Sequence, residues 1–287
     1  MAFTTKATIA SFGGRLLKLS HQSSVTGTEM ALNLYLPPQA NKQKVPLLFY
    51  LSGLTCSPEN CTEKGFFQHG ASKHGIAIAY PDTSPRGLNL PGEDDSWDFG
   101  SAASFYVDAK QDPWKSNYRM ETYITEELPK LLYEGFADKL DKAKGMSITG
   151  HSMGGHGALS LYLKYPAMYR SVSAFAPVAN PSKCPWGEKA FGGYLGDDKE
   201  EWKKHDSTEL VKGWSKDVDL KMLVDVGTGD NFYKQGQLLP ENFEKAVKDA
   251  GLKGLTLRYQ EDYDHSYFFM ASFSDDHVAH AAKYLDV

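Results

Sequence analysis

Six short apolar runs constrain this chain more than any other feature. They lie at 45–51, 75–80, 146–149, 171–178, 222–226 and 255–259. Five of them run into a Gly or Pro, and the last runs into an acidic turn. They do not alternate apolar with polar residues, so they read as strands buried on both faces. Segments with helical spacing separate them, at 118–133, 156–164, 241–250 and 275–284. Pro129 should kink the first of these, because it has no N–H to donate. Strand–helix alternation predicts an α/β fold: a mostly parallel central sheet with helices on both faces.

The opening of the chain follows another pattern. Residues 15–20 and 30–36 alternate in β fashion around a polar segment at 23–28, which predicts an N-terminal β-hairpin over about 8–37. No Ser, Pro or Gly linker interrupts the rest, so a single domain is expected over 1–287. A chain of this length buries roughly three quarters of its unfolded surface, enough for a core without disulfides or metal. Two stretches, 81–116 and 179–214, exceed ordinary connection lengths and are expected to cover a site.

Composition excludes several classes. Hydrophobic residues make up 41% and charged residues 23%, which is ordinary for a globular domain and unlike a disordered chain. The net charge of −5 gives no basic footprint for nucleic acid. No apolar stretch is long enough to span a membrane. The opening residues lack a basic segment followed by an apolar one, and the three cysteines Cys56, Cys61 and Cys184 are an odd number. Both features predict a reduced, cytoplasmic setting. Cys56 and Cys61 have no histidine partners at zinc-site spacing, so no metal is expected.

Chemistry enters with Gly150-His151-Ser152-Met153-Gly154. This is G-x-S-x-G after a β-type run and before an Ala- and Leu-rich helical stretch. Such a strand-to-helix turn is tight enough to need its glycines, and it lifts the serine Oγ out of the backbone. Ser152 is therefore the candidate nucleophile. The order expected of this arrangement is Ser, acid, His. His265 lies in the loop after the last strand run, where a base belongs; His277 and His280 fall on an expected surface helix, where a solvated state is expected. Asp230 follows the preceding run beyond two glycines, whereas Asp225 sits inside that run and should point into the sheet or core. The oxyanion should be held by the N–H of Met153, at the helix start, and by the N–H of Leu54, after Gly53. Trp97 and Trp186 lie in the two long stretches and are expected to wall the pocket. Cys56, two residues after Leu54, is expected beside it.

These residues resemble those of a known family. LSGLTC at 51–56, PDTSPRG at 81–87, SWDFG at 96–100, GHSMGGHGA at 150–158, SAFAP at 173–177, CPWG at 184–187, KAFGGYLG at 189–196 and DHSYFF at 264–269 are similar to the S-formylglutathione hydrolases, also called esterase D. The resemblance covers nearly the whole chain from about Gly14. It implies an α/β-hydrolase fold and a cytosolic serine thioesterase of formaldehyde detoxification, with no cofactor. It implies S-formylglutathione as the small-molecule substrate, short-chain carboxylesterase activity beside it, and a homodimer. The family's Ser, Asp and His fall on Ser152, Asp230 and His265. A general carboxylesterase, an acyltransferase and a non-catalytic binding module are the competing readings. Turnover of S-formylglutathione, of aryl acetates and in the presence of added alcohol separates them.

Overall fold

A computed structural model describes residues 3–287. Among the described residues nine strands form one sheet: β1 Thr4–Ser11, β2 Gly14–Gln22, β3 Glu29–Leu36, β4 Leu47–Leu51, β5 Ala77–Pro81, β6 Met146–His151, β7 Tyr169–Phe175, β8 Met222–Gly227 and β9 Leu255–Gln260. Their spatial order is β1-β2-β3-β5-β4-β6-β7-β8-β9. The pairs from β1 to β3 and between β3 and β5 are antiparallel; those from β5 through β4 to β9 are parallel.

The six apolar runs are the six parallel strands. Every residue of β4, β5, β6 and β8 is buried, as expected of strands covered on both faces. Burying a Leu or Phe in such a strand stabilises the fold by roughly 1.5–3 kcal/mol. The edge strand β9 remains partly exposed.

The N-terminal hairpin is a three-stranded meander. β1 adds a strand outside β2, starting at Thr4. Its sequence, TTKATIAS, carries almost no apolar pattern because it lies at the sheet edge and is exposed for most of its length. Backbone pairing rather than burial holds it.

The helices depart from the expected spans in three informative places. The first begins at Met120, widens into a π-type turn over Tyr123–Glu127, and resumes as Leu128–Gly135. That wide turn absorbs the missing N–H of Pro129. The last helix runs over Tyr267–Leu285, so it starts well before residue 275; the Ser266 side chain caps it by accepting from the Phe268 N–H. The stretch 179–214 is mostly helical, with Pro185–Leu195, Lys199–Lys203 and Ser207–Leu210, whereas 81–116 stays irregular apart from one turn at Trp114–Ser116.

Strand order decides where a site can form. From β4 the chain crosses to β5 on one side, then returns to place β6 on the other. Loops leaving β4 and β6 therefore diverge at their C-terminal ends and leave a crevice, the usual binding position in such sheets. In register, Leu51 pairs with Gly150, so the segments starting at Ser52 and at His151 emerge side by side.

Candidate active site

Ser152 sits at the turn between β6 and the helix Met153–Lys164, with φ 59° and ψ −119°. That conformation is strained for a residue with a side chain. Its surroundings hold it: the Ser152 N–H donates to the Phe175 carbonyl at 2.9 Å, and the His156 N–H donates to the Ser152 carbonyl at 2.9 Å. The motif glycines are steric necessities. A Cβ on Gly150 would lie 2.2 Å from the Gly154 carbonyl oxygen, and one on Gly154 would lie 2.0 Å from that of Leu51.

Asp230 and His265 come from two loops that dock on one another. The Gly229 N–H donates to the Tyr263 carbonyl at 2.9 Å, and a Cβ on Gly227 would lie 2.1 Å from that same oxygen. Only glycines permit this approach. It brings His265 Nδ1 to 2.5 Å from Asp230 Oδ2. The Asp230 carboxylate is fully buried, and its Oδ1 accepts from the Phe232 N–H at 2.7 Å and the Tyr233 N–H at 3.3 Å. Those bonds fix the carboxylate, and because a carboxylate only accepts, His265 carries its proton on Nδ1, which leaves Nε2 as the acceptor on a ring that lines the same cavity as Ser152. Among the described residues no hydrogen bond joins Ser152 Oγ to His265, a link that commonly tightens only with substrate bound.

A cavity of about 190 Å³ connects these groups. Ser152, His265, Leu54, Trp97 and Trp186 all line it. The two tryptophans meet edge to face, with ring centroids 5.6 Å apart. Lys189, on the same helix as Trp186, bonds Ser96 and Asp98 on either side of Trp97 and so ties the two walls together. Around the Gly53–Cys56 turn, the Thr55 and Cys56 N–H groups are committed to the Ala102 and Gly53 carbonyls. Among the described residues the N–H groups of Leu54 and Met153 have no such partner, which leaves both available to an oxyanion.

Cys56 is not brought to the cavity. Its side chain is buried and turns toward the Tyr267 hydroxyl, with Sγ 3.8 Å away. The Gly53–Cys56 turn places Leu54 and Thr55 on the lining and leaves Cys56 off it. Burial also pushes the Cys56 thiol up from its ordinary range.

Three lining residues have no counterpart in the sequence reading: Thr55, His151 and Phe232. Phe232 meets His265 edge to face at 4.8 Å, and the His151 ring packs against it, tilted, at 4.7 Å. Burial holds the His151 imidazole well below the usual histidine range, so it is neutral. The place of Phe232 two residues after the candidate acid was its only signal.

His277 is the clearest correction. It is fully buried rather than solvated, and its Nε2 lies 3.0 Å from Asp225 Oδ2. It stacks on Phe175 with centroids 3.6 Å apart. His280 likewise packs inward, its Nε2 donating to the Lys221 carbonyl at 3.1 Å. The helix carries both inward because it lies across the sheet rather than along its rim. Asp225 is held by Arg258, whose Nε donates to it at 2.7 Å.

A serine elbow, a buried carboxylate–imidazole pair and a parallel sheet that joins them define a serine hydrolase of the α/β-hydrolase fold. Comparison with known proteins narrows the class. Residues 23–280 match the family model described as "Putative esterase". The chain is 52% identical to S-formylglutathione hydrolase of Mus musculus over 275 residues, covering 96% of each chain. It is 49% identical to that of Arabidopsis thaliana, covering 96% of this chain and 95% of the other. A solved S-formylglutathione hydrolase from Agrobacterium tumefaciens superposes with a TM-score of 0.92 at 41% identity, covering 99% of this chain and 100% of that one. The chain belongs to the S-formylglutathione hydrolase family of esterases.

Proposed function

We propose that the chain hydrolyses S-formylglutathione to glutathione and formate, with Ser152, His265 and Asp230 as its catalytic triad. The observation that carries this reading is the small cavity of about 190 Å³ that holds Ser152 and His265 together, with Asp230 behind the imidazole. Ser152 Oγ attacks the formyl carbon while His265 Nε2 takes its proton. The Leu54 and Met153 N–H groups stabilise the oxyanion, and Asp230 stabilises the imidazolium. The C–S bond then breaks, and the proton passes from His265 to the departing glutathione sulfur. A thiol is acidic enough to leave readily. Water attacks the formyl-serine, His265 takes its proton and returns it to Ser152 Oγ, and formate departs.

A formyl group has no side chain, so a small acyl cavity suits it. Glutathione is larger than the cavity and extends past the mouth, where half-exposed Trp97 stands. Short-chain oxygen esters fit the same machinery, and the aromatic walls Trp97, Trp186 and Phe232 suit an aryl leaving group. The small-molecule thioester, the homodimer and the cytosolic setting that the family resemblance implies belong to this reading.

Ser152→Ala tests it. The variant should fold as the parent does and lose about 10⁴–10⁶-fold in kcat on S-formylglutathione. Retention of a tenth of parental activity would place the nucleophile elsewhere.

A further inference from the structure

Between β4 and the cavity the chain makes one tight turn, Gly53 to Cys56, closed by the Cys56 N–H donating to the Gly53 carbonyl at 3.3 Å. Its third residue, Thr55, has φ 66°. A turn with that signature favours glycine there, and a β-branched side chain is strained. Such a residue persists only where its surroundings fix it.

The fixing comes from the long irregular stretch after β5. Thr83 Oγ1 donates to the Cys56 carbonyl at 2.6 Å, and Arg86 Nη2 donates to the same oxygen at 3.0 Å. The Thr55 N–H donates to the Ala102 carbonyl at 3.1 Å, and the Tyr106 hydroxyl donates to the Ser52 carbonyl at 2.9 Å. Thr83 is fully buried, and Ser104 Oγ donates to its carbonyl at 2.6 Å. The buried Asp82 carboxylate accepts from the Thr83 N–H at 2.7 Å and from Arg86 Nη2 at 2.6 Å, so both donors are themselves held. Neither Thr83 nor Arg86 lines the cavity. The PDTSPRG segment thus braces the turn rather than covering the site.

We propose that Thr83 and Arg86 are positioning residues of the thioesterase reaction: by gripping the Cys56 carbonyl they keep Thr55 in its left-handed conformation and hold the Leu54 N–H aimed at the oxyanion. This rests on the reading of Leu54 as an oxyanion donor. Without the grip, Thr55 relaxes, the turn opens and the Leu54 N–H drifts. A displacement on the order of 1 Å is enough to matter, because the donor must lie at hydrogen-bond distance from the oxyanion and not from the ground-state carbonyl.

Thr83→Val removes the hydroxyl at nearly constant shape, and Thr83→Ser restores it. With S-formylglutathione, T83V should lower kcat by about 10-fold or more, part of the roughly 10²–10³-fold that one oxyanion donor supplies. KM should stay within about 2-fold, and T83S should recover to within about 3-fold of the parent. Affinity for a trifluoromethyl ketone, which forms a tetrahedral adduct on Ser152, should fall by the same factor as kcat/KM. Leu54→Pro deletes the donor itself, and proline suits the second position of such a turn. On the L54P background T83V should add less than about 2-fold, since both changes act on one N–H. Parental kcat in folded T83V, or its full effect added on top of L54P, would overturn the proposal. Parental kcat in L54P would overturn it too, but by removing the oxyanion reading beneath it, an outcome visible without any Thr83 variant. Should T83V not fold, Arg86→Gln, at the partly exposed end of the grip, carries the same expectations in the same assays.

Discussion

Asp225 Oδ2 lies 3.0 Å from His277 Nε2, a second, fully buried carboxylate–imidazole pair in addition to the one that Asp230 makes with His265. Asp225 lies within β8 and Asp230 just beyond its end, and only Asp230 pairs with a histidine that lines the cavity. Asp225 is committed inward, to His277, Arg258 and Gln260. Those partners hold its carboxyl down at about 2, against the opposing effect of burial. Its backbone carbonyl also accepts the Ala176 N–H at 2.7 Å, next to the Phe175 carbonyl that receives the Ser152 N–H.

The two pairs should therefore fail differently. Asp230→Asn should lower kcat by about 10³-fold or more, because the amide favours the wrong tautomer of His265, while thermal stability stays near parental. Asp225→Asn should instead lower stability, by about 1–3 kcal/mol, because the amide removes the charge that faces part-exposed Arg258 and turns an NH2 toward the donors of Arg258, Gln260 and His277. Its folded fraction should keep most of its kcat. Kinetics alongside denaturant melts of both variants check this, and the opposite assignment of effects would exchange the roles of the two aspartates.

Acyl chain length reads the size of the cavity. With Trp97 and Trp186 closing about 190 Å³ around Ser152, kcat/KM should fall from S-formyl- to S-acetyl- to S-butyrylglutathione. A rise with chain length would mean that the walls open and that the cavity does not select for formyl.

Buried neutral histidines make the fold sensitive to mild acid. Burial brings His156 down to about 3 and His280 to about 4, from 6.5. The unfolded chain takes up these protons near 6.5, and the folded chain does so only far lower. Between those values the unfolded state binds more protons, so stability is full above about 6.5 and falls as pH drops below it. Each histidine contributes at most about 1.4 kcal/mol per pH unit within its window. Urea midpoints at pH 7, 6 and 5 should decline. His280→Gln, which can still donate to the Lys221 carbonyl, should flatten the decline; an unchanged slope in that variant would contradict the assignment.

Alkylation tests how Cys56 relates to the site. Its thiol is buried and pushed up, so iodoacetamide should react slowly at pH 7 and faster at pH 9. A group on its sulfur must displace either the Gly53–Cys56 turn or Tyr267, two residues beyond His265, so the modified protein should be inactive. Cys56→Ser should remain active and resist the reagent. Equal inactivation of the serine variant would point to Cys61 or Cys184.

The elbow around Ser152 was fully legible in the chain, because its geometry is local. Flanking glycines, a strand before and a helix after all lie within about four residues, and steric exclusion acts at that range. The buried parallel strands were legible for a similar reason: apolar runs without alternation have few other places to go. Asp230 and His265 could be proposed from their positions after strand runs. Their meeting, however, depends on Gly227 and Gly229 docking against Tyr263 and Asp262. Nothing local announced the burial of His277, since a helix pattern does not say which sheet face receives it. Nor could composition reveal that the stretch after β5 braces the Gly53–Cys56 turn, while Phe232 and His151 pack against His265. Those relations arise only when strand order and register bring segments distant in the chain within hydrogen-bonding distance. Local pattern selected the elements and the nucleophile; tertiary packing decided which polar groups face the cavity and which hold the ones that do.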